Sequence, residues 1–150
     1  MKYSRIAVGT DGSAESMKAV ATAASLAQAY GAELTIVCAF YGNSGSLLDA
    51  PHGKGSTSIP VISDERAQEF LAEARRVAQG EGAQKIEVLA KEGSPVDVLL
   101  HAVEESGIEL LVMGNRGVKT LAGRVFGNIP TGVARHANVD VMLVNTEKHP

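Results

Sequence analysis

Five short apolar runs punctuate the chain, and most are apolar at nearly every position: Ile6-Ala7-Val8, Leu34 to Ala39, Leu110-Leu111-Val112 and Val141 to Val144, with Ile86 to Ala90 alternating only in part. A strand that is apolar on both sides must be covered on both sides, so such runs demand a parallel sheet between two layers of helices. The segments between the runs supply those helices. Ser13 is placed to cap a helix whose Ala-rich body, Met17 to Ala27, ends near Gly31. Ser63 and Asp64 open a charged helix through Ala78. Ser94-Pro95-Val96-Asp97 is a helix start, with a capping hydroxyl, a proline suited to the first turn and an acid at its positive end. That helix runs to about Glu105, and a last one covers Pro130 to His136. The predicted strands are Arg5–Thr10, Glu33–Phe40, Lys85–Ala90, Ile108–Val112 and Val139–Val144. Right-handed crossovers, with a reversal between the third and fourth strands, give an α/β three-layer sandwich of order 3-2-1-4-5.

Composition narrows the function. A chain of 150 residues fits one domain, spanning residues 1–150, with 45% hydrophobic and 21% charged residues. Trp is absent and the net charge is −3, so neither a base-stacking platform nor a basic stripe for nucleic acid is expected. No apolar run approaches the roughly 20 residues of a membrane span, and the N-terminus lacks a signal-peptide pattern; a cytoplasmic protein is expected. The single cysteine, Cys38, sits in an apolar strand and reads as a small core residue. Residues 41–60 are rich in Gly, Ser and Pro and read as a long mobile loop.

The predicted topology brings two unusual turns together. Thr10-Asp11-Gly12-Ser13 follows the first strand. Met113 to Thr131 follows the fourth and carries Gly114, Gly117 and Gly127, with two residues and then nine between them. Glycines before a helix let backbone N–H groups approach an anion, and Arg116 and Arg124 could add charge-assisted bonds. The plainer alternative is a connection whose glycines only satisfy turn geometry. Asp11 is open in the same way, as a ligand contact or as a turn and cap residue.

Other features carry no chemistry. His52-Gly53-Lys54-Gly55-Ser56 fails the phosphate-loop pattern, because Gly-Lys is not followed by Ser or Thr. His52, His101, His136 and His149 lack metal-ligand spacing, and no Ser-His-Asp order or nucleophile elbow is present. Asp64, Glu65, Glu69 and Glu73 read as a solvated helix face paired locally with Arg75 and Arg76. No enzyme is expected, beyond slow turnover of phosphate at Asp11.

Gly114-x2-Gly117-x9-Gly127 followed by a small polar residue, after a strand ending Met113-Gly114, resembles the ATP-binding signature of the universal stress protein family. The likeness extends to Val8-Gly9-Thr10-Asp11-Gly12-Ser13, Glu92-Gly93-Ser94-Pro95 and Arg135-His136-Ala137. It implies a Rossmann-like domain that binds an adenine nucleotide (ATP, AMP or cyclic AMP) and acts as a regulatory or nucleotide-sequestering protein, the alternatives being a slow ATP hydrolase or phosphotransferase and a nucleotide-free interaction module. Thr10 and Asp11 would lie near the ribose and phosphates or a bound Mg²⁺, and Ala39 near the adenine. Met113 would line the pocket, and Gly114, Arg116, Gly117, Gly127 and Asn128 would wrap the phosphates. The family usually has Ser or Thr where Asn128 stands, and Pro130 removes an N–H from the first turn. Gly127-Asn128-Ile129-Pro130 looks like a bacterial branch associated with cyclic AMP, a ligand that needs fewer phosphate donors. The resemblance also implies a homodimer. The apolar strand Val139–Val144 would be an edge guarded by Asp140 alone, and its expected partner is the same strand of a second copy.

Overall fold

A computed structural model describes residues 2–41, 63–115 and 128–146. In chain order these form β1 (Arg5–Gly9), α1 (Ala14–Tyr30), β2 (Glu33–Phe40), α2 (Asp64–Gly80), β3 (Lys85–Glu92), α3 (Pro95–Ser106), β4 (Leu110–Gly114), α4 (Asn128–His136) and β5 (Asp140–Val144). The five strands make one parallel sheet of order β3-β2-β1-β4-β5, the α/β Rossmann-like sandwich expected.

Helix starts follow local chemistry. Ser13, Ser63 and Ser94 each accept a backbone N–H three residues on, from Ser16 at 3.0 Å, Arg66 at 3.2 Å and Asp97 at 3.3 Å. Each bond satisfies an N–H that the first helical turn leaves without an intrahelical partner. Gly31 and Gly107 end α1 and α3 in the left-handed conformation.

The two helical layers bury separate cores. Ala19, Val20, Ala23, Ala24 and Ala27 of α1 and Ala67, Leu71, Ala74 and Ala78 of α2 pack on Ile6, Val8, Leu34, Ile36, Leu110 and Val112. Across the sheet, Val98, Leu99, Ala102 and Val103 of α3 and Val133 of α4 cover Ala7, Val37, Leu111 and Met113. The period of two along each strand sorts its side chains between these layers. Alanine dominates the buried stripes of α1 and α2, so both backbones lie close to the sheet.

Several expectations shift: β3 runs two residues further, to Glu92, β1 stops at Gly9, and β5 starts at Asp140. β4 begins at Leu110 and ends at Gly114, two residues later than predicted at both ends. Its start is set by pairing of Ile6 with Leu110, and its extension by pairing of Met113 and Gly114 with Leu143 and Val144. Glu109 instead clasps the start of β1. Its Oε1 accepts the Ser4 N–H at 2.6 Å and the Arg5 N–H at 3.1 Å, which holds its carboxyl below the usual range. α4 opens at Asn128 and tolerates Pro130 at its third position, where the missing N–H has no intrahelical acceptor. On α2 the ion pair is Arg66 with Glu69, 3.3 Å apart, while Arg75 donates to the Ile86 carbonyl. The predicted partnership of the helix acids with Arg75 and Arg76 is not the one formed.

Cys38 lies in the core, 1% exposed. Burial pushes its thiol up to about 12, and the Asp11 carboxylate adds to the shift. Unfolded, the thiol ionises near its ordinary value of 9.0, so between these values the folded state holds the extra proton. This contribution to stability is intact below pH 9 and is lost as pH rises toward 12. A thiol reagent at pH 8 should leave the native protein unmodified and react once urea unfolds it. Rapid labelling of native protein would contradict this burial.

Candidate functional site

β1 and β4 lie side by side, and the next described helix after each packs on a different face of the sheet. α1 follows β1 onto one layer, and α4 follows β4 in packing on the other. A crevice at the carboxyl ends of such strands is where open α/β sheets take ligands. The described walls of this crevice are residues 10–13 after β1, the end of β4, and the segment that leaves β5. Arg116, Gly117, Arg124 and Gly127, and the loop at 41–60 beyond Tyr41, lie outside the described residues, as does the side chain of Asn128.

The turn after β1 consumes most of its own polar groups. Thr10 extends the β1–β2 ladder, donating its N–H to the Val37 carbonyl at 2.9 Å. Its hydroxyl, in a residue 7% exposed, accepts the Gly12 N–H at 3.1 Å and lies 2.7 Å from the Ser16 hydroxyl. Ser16 already donates to the Ser13 carbonyl at 2.9 Å, so the proton in the Thr10–Ser16 contact comes from Thr10. The hydroxyl of Thr10 is therefore committed to shaping the turn. Asp11 Oδ1 accepts the Ser13 N–H at 2.9 Å, an Asx turn, while the residue itself remains exposed. Gly12 has φ of 86°. A Cβ built there would lie 2.5 Å from ring atoms of Phe70, so both backbone and space require glycine.

The β4 wall is organised by a segment with no obvious sequence signal. Met113 is buried among the α3 and α4 side chains, at the floor of the crevice rather than on its surface. Gly114 lets Thr146 approach closely, since a Cβ at that position would meet Thr146 Cγ2 at 3.1 Å. Asn115 donates its backbone N–H to the Val144 carbonyl at 3.0 Å, and its Oδ1 accepts the Thr146 N–H at 3.2 Å. From α1, Lys18 Nζ donates to the Thr146 carbonyl at 3.3 Å. Ala39, half-buried on the layer of α3, is the penultimate residue of β2, two positions past Val37, the partner of Gly9 on β1. Thr10, Asp11 and Gly114 are thus carried by the two adjacent strand ends, with Ala39 one strand away.

Lys18, Ser16 and Thr146 belong to this constellation and were not singled out from the sequence. Ser16 was recoverable as the residue bonded to the Ser13 cap. Thr146 follows the last apolar run and looks like any polar tail residue.

Two surface grooves lie elsewhere. One, of about 420 Å³, is lined by Lys91, Asp97, His101 and Glu104. The other, of about 580 Å³, lies at the opposite end of the strands beside Arg5, Glu33, Glu87 and Gly107. Lys91 pairs with Glu105 at 3.1 Å, and Glu105 also lies 3.9 Å from His101. Among the described residues no group of three His, Cys, Asp or Glu side chains is arranged to hold a metal ion. No helix there is long and apolar enough to cross a membrane.

Known proteins resemble this chain along nearly its whole length. The model of the universal stress protein family matches residues 2–145. Universal stress protein Rv1636 of Mycobacterium tuberculosis is 36% identical over 152 aligned positions, covering 96% of this chain and 97% of that protein. A crystal structure of a universal stress protein in complex with cAMP superposes with a TM-score of 0.77 at 34% identity, covering 98% of this chain and all of that one. The universal stress protein from Archaeoglobus fulgidus in complex with dAMP, at 24% identity and a TM-score of 0.67, shares the fold over 96% of this chain and 99% of its own.

The turn geometry carries its own test. Gly12→Ala should destabilise the protein by about 1–3 kcal/mol, the usual cost of a strained backbone conformation, through φ and the clash with Phe70. Urea denaturation measures it, and an unchanged midpoint would show that the turn relaxes freely.

Proposed function

The chain belongs to the universal stress protein family, and on that premise we propose that it is a stress-response regulatory protein holding an adenine nucleotide across the β1/β4 crevice, with cyclic AMP favoured. The observation that carries this reading is the 34% identical relative, matched over 98% of this chain, whose structure is a complex with cAMP. The crevice is consistent with it. Both strand ends are held by hydrogen bonds, Gly114 ends β4, and the glycine spacing of the family signature begins there in the sequence.

Binding rather than turnover fits the chemistry. Phosphoryl transfer asks for a positioned base and a carboxylate-held metal near the terminal phosphate. Asp11, the carboxylate at the crevice, is engaged by the Ser13 N–H. Were ATP bound, Mg²⁺ would be carried mainly by phosphate oxygens, as is usual for this ion. The proposed setting is cytoplasmic.

A homodimer through β5 is part of the proposal. β5 pairs only with β4 within the sheet, and Leu143 on it is 45% exposed, unlike the other large apolar side chains described. An apolar edge strand invites pairing with its copy across a two-fold axis.

Calorimetry with cyclic AMP, AMP and ATP tests the binding. The expected order places cyclic AMP tightest, with ATP unconsumed after hours with Mg²⁺. No heat with any of the three overturns the nucleotide reading, and ATP loss abolished by Asp11→Asn overturns the non-enzymatic one. Sedimentation at micromolar concentration should give a dimer that Leu143→Lys shifts toward monomer; a wild-type monomer contradicts the β5 interface.

A further inference from the structure

Thr146 is 3% exposed, although it follows the last strand in a polar tail. The end of β4 and α1 both converge on it. Asn115, the first residue past β4, binds the segment leaving β5 twice: its N–H on the Val144 carbonyl at 3.0 Å, and its Oδ1 on the Thr146 N–H at 3.2 Å. The same Oδ1 lies 3.5 Å from the Thr146 hydroxyl. Gly114 leaves room for the Thr146 methyl, and Lys18 of α1 holds the Thr146 carbonyl. The Thr146 N–H is thereby bonded to the residue past β4 and its carbonyl to α1.

We propose that Asn115 is a positioning residue for the β4 wall of the crevice, and that its clamp on Thr146 couples nucleotide binding to the edge strand β5. The inference rests on the nucleotide reading above and adds a regulation to it. The chain must leave β4 in a fixed direction if backbone beyond Gly114 is to face a ligand. That direction is set here by two bonds from one residue, one to the last residue of the strand that a second copy would extend and one to Thr146 just beyond it. The Asn115 N–H and Oδ1 are turned to Val144 and Thr146, and through these bonds Asn115 acts on a ligand by placing the wall. Coupling of this kind is reciprocal: whatever tightens the clamp favours ligand, and ligand tightens the clamp by the same factor.

The full chain tests this by amide exchange at Thr146 and calorimetry with cyclic AMP. In the ligand-free protein, Asn115→Ala should speed Thr146 exchange, and Asn115→Asp, which keeps the acceptor oxygen, should restore the slow rate. A general packing defect would not be rescued so selectively. With cyclic AMP, wild-type Thr146 exchange should slow further. Asn115→Ala should weaken binding by about 3- to 10-fold, the scale of one hydrogen bond, and should lose the ligand-induced slowing. Wild-type affinity in Asn115→Ala, or Thr146 exchange in wild type that ignores bound cyclic AMP, overturns the coupling while leaving the nucleotide site standing. Failure of wild type to bind cyclic AMP overturns the site reading and the coupling together, and the ligand-free exchange then decides the clamp alone.

Discussion

The pairing of β1 with β4 is the contact on which the rest of the molecule depends. Ile6, Ala7 and Val8 face Leu110, Leu111 and Val112 in register, and all six are buried. These strands are distant in sequence, and their pairing joins the strands linked through α1 and α2 on one face to those that follow α3 and α4 on the other. Burial of each large apolar side chain is worth roughly 1.5–3 kcal/mol, and here that burial fixes the one place where the crossover direction reverses. The crevice follows from the topology: two strand ends whose continuations diverge leave a gap between them.

Polar groups at that gap are used in two ways. After β1 they close on themselves: Thr10, Asp11, Ser13 and Ser16 bond one another or their own backbone, which makes a rigid lip. After β4 they reach across the sheet. Asn115 and Lys18 grip the residue that leaves β5, so the second lip is only as firm as the edge strand beside it. The two walls differ in kind, one set by local turns and the other by long-range contacts.

The same division explains what could be read in the sequence. Bonds spanning three residues announce themselves, and Ser13, Ser63 and Ser94 all cap the helices expected of them. β2 runs from Glu33 to Phe40 as predicted, because it is apolar along its length and flanked by Gly31 and Tyr41. The bounds of β4 were misjudged, since they are decided by partners more than a hundred residues before it and some thirty after. Gly114 stands out in the sequence as the first glycine of a signature, yet its role as the slot for the Thr146 methyl has no local trace. Arg75 turned from the expected acids to the Ile86 carbonyl for a similar reason, as a strand end lay within reach.

The central claim is one of place: an adenine nucleotide sits where β1 and β4 end. Backbone amide chemical shifts recorded during a cyclic AMP titration test it most directly. The account predicts the largest shifts at residues 9–13 and 113–115, with little change at the opposite strand ends near Arg5, Glu33 and Lys85. Shifts concentrated instead in the groove lined by Lys91, Asp97 and His101, with residues 9–13 and 113–115 unmoved, would contradict it.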